Sequence, residues 1–134
     1  MTSITVSLAI WVLYLSTTSL PQNTVPSVPP VEIAASAISL SYHGPSPVVV
    51  HFRAAITANY LPITIRYYWN RNGVSRPIKK VELTPDNIPK FNVFDDWAVG
   101  SPGKSFRAID QLHVQAEGVE IVSEELESRG DCRR

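Results

Sequence analysis

The stretch Ile63-Thr64-Ile65-Arg66-Tyr67-Tyr68-Trp69-Asn70-Arg71-Asn72-Gly73 constrains the fold more than any other part of the chain. In an extended backbone Ile63, Ile65, Tyr67 and Trp69 fall on one face, and Thr64, Arg66, Tyr68 and Asn70 on the other. An Asn-Gly pair follows, the combination that closes tight hairpins because both positions tolerate positive φ. A half-apolar strand that ends on a tryptophan and then turns back predicts a central strand of a two-sheet sandwich. Trp69 then fills the space between the sheets.

The rest of the sequence repeats this grammar. Ala37–Tyr42 alternates with Ile38, Leu40 and Tyr42 on one face, and His43-Gly44-Pro45-Ser46-Pro47 reads as a turn. Val48–Thr57 places Val48, Val50, Phe52, Ala54 and Ile56 on one face, with His51, Arg53 and Thr57 outward. Asn59–Pro62 is a turn into the Trp69 strand. Pro77–Leu83 is a strand near a sheet edge, where Lys79 and Lys80 discourage aggregation. A loop over Thr84–Pro89 leads to a strand over Lys90–Val99, and Gly100-Ser101-Pro102-Gly103 turns the chain again. Ser105–Asp110 opens a strand that can run on to Val114, and Val119–Cys132 holds the last one. Glu124-Glu125-Leu126-Glu127 has a short helix as its alternative. The prediction is an all-β, immunoglobulin-like, antiparallel two-sheet sandwich of about seven strands.

Domain organisation follows from the first third. Ile4–Leu15 is apolar and uncharged, and small residues at Thr17 and Ser19 suit a cleavage site after Ser19. Residues 1–19 therefore read as a signal peptide. No Lys or Arg precedes the apolar run, so an uncleaved anchor over residues 4–20 and a buried N-terminal element stay open as alternatives. The run is shorter than the roughly 20 residues that cross a bilayer. Residues 20–36 carry a Pro-rich stretch, Pro21–Pro30, that predicts an extended tether, and 37–132 form the sandwich. A chain of 134 residues, 44% apolar and 18% charged, holds one domain with its own core. A formal net charge of zero argues against nucleic acid as a partner and against an anionic membrane surface. Membrane contact is expected only through an uncleaved N-terminal segment.

At this level the chain resembles a family of small secreted bacterial immunoglobulin-like domains, uncharacterised in function. The residues that carry the likeness are Gly44-Pro45-Ser46-Pro47, Phe52, Arg66–Gly73, Trp97-Ala98-Val99-Gly100, Lys104-Ser105-Phe106 and Cys132. The resemblance spans Ser39–Cys132 and implies a sandwich with neither enzymatic activity nor transferable ligand residues. It also implies a cysteine at position 46 bridged to Cys132. Ser46 stands there instead, so this bridge cannot form, and the domain forgoes on the order of 4 kcal/mol. Cys132, the one cysteine, is then an inert buried relic, an intermolecular disulfide linking a homodimer, or a reactive thiol.

Catalytic constellations are thin. His43, His51 and His113 are surface histidines without metal-ligand spacing. Asp95 and Asp96 are adjacent, so on a strand they point to opposite faces; a bulge or turn entry beside Trp97 is the expected context. Glu120, Glu124, Glu125 and Glu127 lack calcium-loop grammar. Arg129-Gly130-Asp131 matches an integrin-ligand tripeptide, but it sits at the end of a predicted strand and not at a loop tip. No nucleophile elbow, phosphate loop or dinucleotide motif occurs. Trp69 and Trp97 are expected in the core. Tyr60, in a turn, and Tyr68, opposite Trp69, are the candidates for contact with a protein or glycan partner. The expectation is an exported, non-catalytic binding or structural module of the cell envelope or extracellular space, needing no cofactor or metal. The alternative is a small envelope enzyme or enzyme inhibitor acting through an inter-strand loop.

Overall fold

A computed structural model describes residues 28–37 and 41–134 of the chain. Ten strands run through them: β1 (Val31–Ala37), β2 (Ser41–Gly44), β3 (Val48–Ala58), β4 (Ile63–Arg71), β5 (Val74–Ser75), β6 (Lys79–Leu83), β7 (Lys90–Val99), β8 (Ser105–Ala116), β9 (Val119–Val122) and β10 (Leu126–Cys132). One sheet has the order β1-β3-β7. The other runs β2-β10-β8-β4-β5, with β6 also paired to β4 and β9 to β8. The two sheets make an immunoglobulin-like β-sandwich.

The alternation read from the sequence sets which side chains meet between the sheets. Val50, Phe52, Ala54 and Ile56 of β3 and Val93 of β7 face Ile63, Ile65 and Trp69 of β4 and Ala108, Leu112, Val114 and Ala116 of β8. Each of these is at most 5% exposed. Full burial of a side chain the size of Phe52 or Leu112 contributes about 1.5–3 kcal/mol, so these two rows dominate the stability. Trp97 is only partly buried and packs at the margin, its ring 6.4 Å from that of Phe52.

Asn72 and Gly73 both have positive φ, 47° and 88°, and join Arg71 to its partner Val74 in the tight hairpin that Asn-Gly predicts. A second two-residue turn, Glu117-Gly118 with φ of 52° and 74°, joins β8 to β9. Glu is uncommon at positive φ, so this turn lacks the composition cue that Asn72-Gly73 carries.

Several boundaries differ from expectation. Residues 1–19 lie outside the described residues, as do 20–27 of the expected tether and 38–40 of the expected Ala37–Tyr42 strand. The end of that tether is not a tether. Val31–Ala37 is a strand paired along its whole length with β3, and Val31 is 1% exposed. Its alternation of Val31, Ile33, Ala35 and Ala37 supplies the apolar face that the preceding prolines lack. The strand number is ten and not about seven: the first and last regions each divide, with β1 and β2 in different sheets and β9 and β10 separated by Ser123–Glu125, and the short β5 adds one more strand after the Asn72-Gly73 turn. No helix forms at Glu124–Glu127, where Leu126 instead enters β10 and is 6% exposed. The pairing is antiparallel except at one edge, where β2 runs parallel to β10. The approach there is close. A Cβ on Gly130 would collide with the Tyr42 carbonyl oxygen, so glycine is required at that position.

Candidate functional site

The outward residues of the larger sheet form a polar platform. Strand registers place Lys80 of β6, Arg66 of β4, Gln115 of β8 and Glu120 of β9 in one transverse row. Tyr68, His113 and Val122 form the next row. Side chains in such rows stand one inter-strand spacing apart, about 4.8 Å. Arg66, Gln115 and Glu120, with Thr64, Glu117 and Val119, line an open cleft of about 350 Å³.

The second row is internally braced. The Tyr68 and His113 rings are stacked, with centroids 4.8 Å apart and planes at 12°. Tyr68 Oη donates to Glu120 Oε2 (3.3 Å), and His113 Nδ1 donates to the same oxygen (3.0 Å). Burial and then the neighbouring Glu120 carboxylate push the Tyr68 hydroxyl above its ordinary range, so it stays a neutral donor. Lys80 is drawn to Glu82 on its own strand (3.0 Å), which leaves the Arg66 guanidinium facing the cleft.

Tyr60 is elsewhere. It is 44% exposed in the turn between β3 and β4, and about 17 Å of strand separates the start of β4 from Tyr68. The two tyrosines singled out in the sequence thus belong to different patches.

A second polar group lies inside the sandwich, where sequence reasoning had placed none. Asp95 of β7 and Asp110 of β8 face each other from opposite sheets and are 8% and 0% exposed. Arg71, the last residue of β4, grips Asp95 with two bonds: Nε to Oδ2 at 2.9 Å and Nη2 to Oδ1 at 2.5 Å. Its Nη2 also donates to the Asp96 carbonyl (3.2 Å), and its guanidinium lies 5.3 Å from the centre of the Trp97 ring. Asp110 Oδ1 accepts from the Gln111 backbone N–H (3.0 Å), while Oδ2 is buried with no donor among the described residues.

The electrostatics split the pair. Burial, and then the adjacent Asp95 carboxylate, raise Asp110 to about 9. Burial also acts upward on Asp95, but the bonds from Arg71 and the charges of Arg71 and Arg76 outweigh it and hold Asp95 below the ordinary carboxylate range. No bulge forms at Asp95-Asp96: the β3–β7 ladder is continuous through Phe52↔Asp95, His51↔Asp96 and Val50↔Trp97. Asp96 is outward, as strand alternation requires, and pairs with His51 Nδ1 at 2.8 Å. The signal for the buried pair was available. Asp110 is in phase with Ala108, Leu112 and Val114, and Asp95 with Val93 and Trp97, so each carboxylate sits at an inward position.

The remaining candidates fall as follows. Cys132 is 4% exposed, with its Sγ against Gly100, so a bond to a second chain requires the end of β10 to open. Ser46 Cβ lies 3.9 Å from the place a Cβ on Gly100 would take, so positions 46 and 132 both border the space over Gly100. Arg129-Gly130-Asp131 is held between β2 and β8 within the sheet and presents no loop tip.

No family model and no curated protein sequence matches the chain. Among solved structures, a CARDB domain from Pyrococcus furiosus, crystallised in complex with di-metal ions, is similar over 81% of this chain and 98% of its own, at 11% identity and a TM-score of 0.47. An alkylpurine DNA glycosylase from Pseudomonas fluorescens, bound to DNA containing an abasic site analog, is similar over 77% of this chain, at 11% identity and a TM-score of 0.36. The match covers 31% of that larger protein.

Proposed function

We propose that the chain is an exported, non-catalytic binding module that contacts a glycan surface through the outer face of its larger sheet. The observation that carries this reading is the row Lys80–Arg66–Gln115–Glu120 beside the Tyr68–His113 stack. Guanidinium, amide and carboxylate groups are planar, paired hydrogen-bonding groups, and vicinal sugar hydroxyls offer matching pairs. Held on a rigid sheet, they require little ordering when a ligand arrives. The aromatic stack walls the row on one side and offers an apolar flank to a sugar ring.

The buried carboxylates support the non-catalytic part of the reading. Asp95 is already occupied by Arg71, and both acids are sealed between the sheets, out of reach of a substrate. Export rests on the apolar segment Ile4–Leu15.

Calorimetric titration of the full chain against soluble neutral glucan, chitin oligosaccharide and polyuronate tests the binding. The expected result is saturable binding to at least one of these, weakened tenfold or more by Arg66→Ala and by Tyr68→Ala and unchanged by Tyr60→Ala. Absence of binding to all three, or equal binding by the Arg66 and Tyr68 variants, refutes it. Intact mass of chain recovered from a secretion fraction, starting near Leu20, supports export; recovery only of full-length chain from inside cells overturns it.

A further inference from the structure

We propose that Asp110 carries a proton in the native domain and donates it to the Asp95 carboxylate, forming a clamp between the two sheets that makes the fold tightest in a mildly acidic medium. The geometry leaves few other arrangements. Asp110 is fully buried, its Oδ2 has no donor, and the acid facing it is ionised and already held by Arg71. Two buried carboxylates beside one guanidinium would carry an uncompensated negative charge, whose desolvation costs several kcal/mol. A proton on Asp110 removes that charge. It also turns an orphaned acceptor into a donor, for which the facing Asp95 carboxylate is the acceptor, a charge-assisted bond of the stronger kind.

The groups that face the pair are Arg71 from β4, Arg76 from beyond β5, and the Gln111 N–H from β8 itself; Trp97 covers Arg71 from β7. The two arginines stay charged throughout the relevant range, so the pair itself is what titrates.

The sign follows from proton counting. Asp110 unfolded ionises near the ordinary value of roughly 4, and folded it holds its proton to about 9. Between these limits the native state binds one proton more than the unfolded chain. The Asp110 contribution is therefore full below about pH 4, and above it the folding equilibrium loses up to about tenfold per pH unit until the folded value is passed. Asp95 acts oppositely, because its folded pKa is lowered: its contribution is present above the unfolded value and is lost as pH falls through the folded one. The two together place the maximum in mild acid, below neutrality.

The test is thermal and urea unfolding of the full chain from pH 4.5 to pH 9, for the natural protein and for Asp110→Asn, which keeps a donor toward Asp95 but cannot ionise. The natural protein is expected to lose stability steadily across this range, and the variant to lose markedly less. Every other titratable group is common to both proteins, so the difference between the two curves isolates Asp110. Parallel curves, or a flat profile in the natural protein, overturn the proposal. A measurement on the natural protein stands even if the variant does not fold: the infrared spectrum at pH 7 must show a protonated carboxylic acid carbonyl band that exchanges slowly in deuterated solvent. Absence of the band overturns the clamp. Stabilisation by calcium chloride at pH 8 that Asp110→Asn abolishes also overturns it, because a cation and not a proton would then satisfy Asp110.

Discussion

Ser46→Cys should install a disulfide with Cys132, and the structure allows its effect to be worked out. Cys132 Sγ lies against Gly100, and Ser46 Cβ is 3.9 Å from the position a Cβ on Gly100 would occupy. Glycine at 100, with φ of 99°, keeps that space open for a sulfur. The backbones are already tied: Cys132 pairs with Gly44 in the β2–β10 ladder, and Arg133 N–H donates to the Gly44 carbonyl at 2.7 Å. The bridge therefore joins segments already held side by side in the native state. The loop it closes is about 90 residues, for which the chain-entropy model gives about 4.5 kcal/mol from the restricted unfolded state. For a domain of this size that corresponds to a rise in Tm on the order of 20 °C. The assay is urea and thermal unfolding of the oxidised variant with and without reductant, with thiol titration and intact mass to establish that one intramolecular bond has formed. The natural protein, with one thiol, must show no response to reductant. The reasoning fails if both thiols stay free under oxidising conditions, if only linked dimers form, or if the bridged variant is no more stable than its reduced form.

Other perturbations separate the parts of the molecule. Phe52→Ala empties the centre of the core, where the side chain is fully buried, and should cost about 3–5 kcal/mol in chemical denaturation. Arg71→Ala leaves the Asp95 carboxylate buried without its bidentate partner and should cost about 3–5 kcal/mol at pH 7, with partial recovery at acid pH as Asp95 protonates. Gly130→Ala drives a methyl group into the Tyr42 carbonyl and should detach β2, seen as accelerated amide exchange at Ser41–Gly44 with the β3–β7 amides unchanged. Cys132, at 4% exposure, should react with a thiol reagent only after unfolding, so native protein stays unlabelled over hours while urea-unfolded protein labels within minutes.

Legibility differed sharply between faces and partners. Strand periodicity is local, so the inward sets of β3 and β4, Val50–Ile56 and Ile63–Trp69, could be read directly. The Asn72-Gly73 hairpin was equally plain, because positive φ at two successive residues selects a narrow set of side chains. Which sheet a strand joins is not local. Val31–Ala37 has a readable alternation, but it is short and follows a run of prolines, and only its pairing with β3 distinguishes it from a tether. The platform was half legible: Arg66 and Tyr68 were known to face outward, whereas Gln115, His113 and Glu120 join them only through the registers of β8 and β9.

Asp110 shows most clearly where a periodic reading reaches its limit and what it still offers. Between Ala108 and Leu112 an inward carboxylate breaks the apolar phase, and a phase break has two explanations: the strand has shifted by one residue, or the charge has a buried partner. A one-residue shift would expose Leu112, Val114 and Ala116 together, a loss of several kcal/mol, so the first explanation is excluded by the residues that follow. The second demands a compensating group at an equally anomalous inward position, and Asp95, in phase with Val93, is the anomaly on the other sheet. Two like charges cannot satisfy that demand alone. The arginine at the end of β4, opposite Asp110 in the β4–β8 register, and a retained proton complete it. Only the fold shows that Asp95 and Asp110 lie in opposite sheets, and that Arg71 grips Asp95 and leaves Asp110 Oδ2 without a donor.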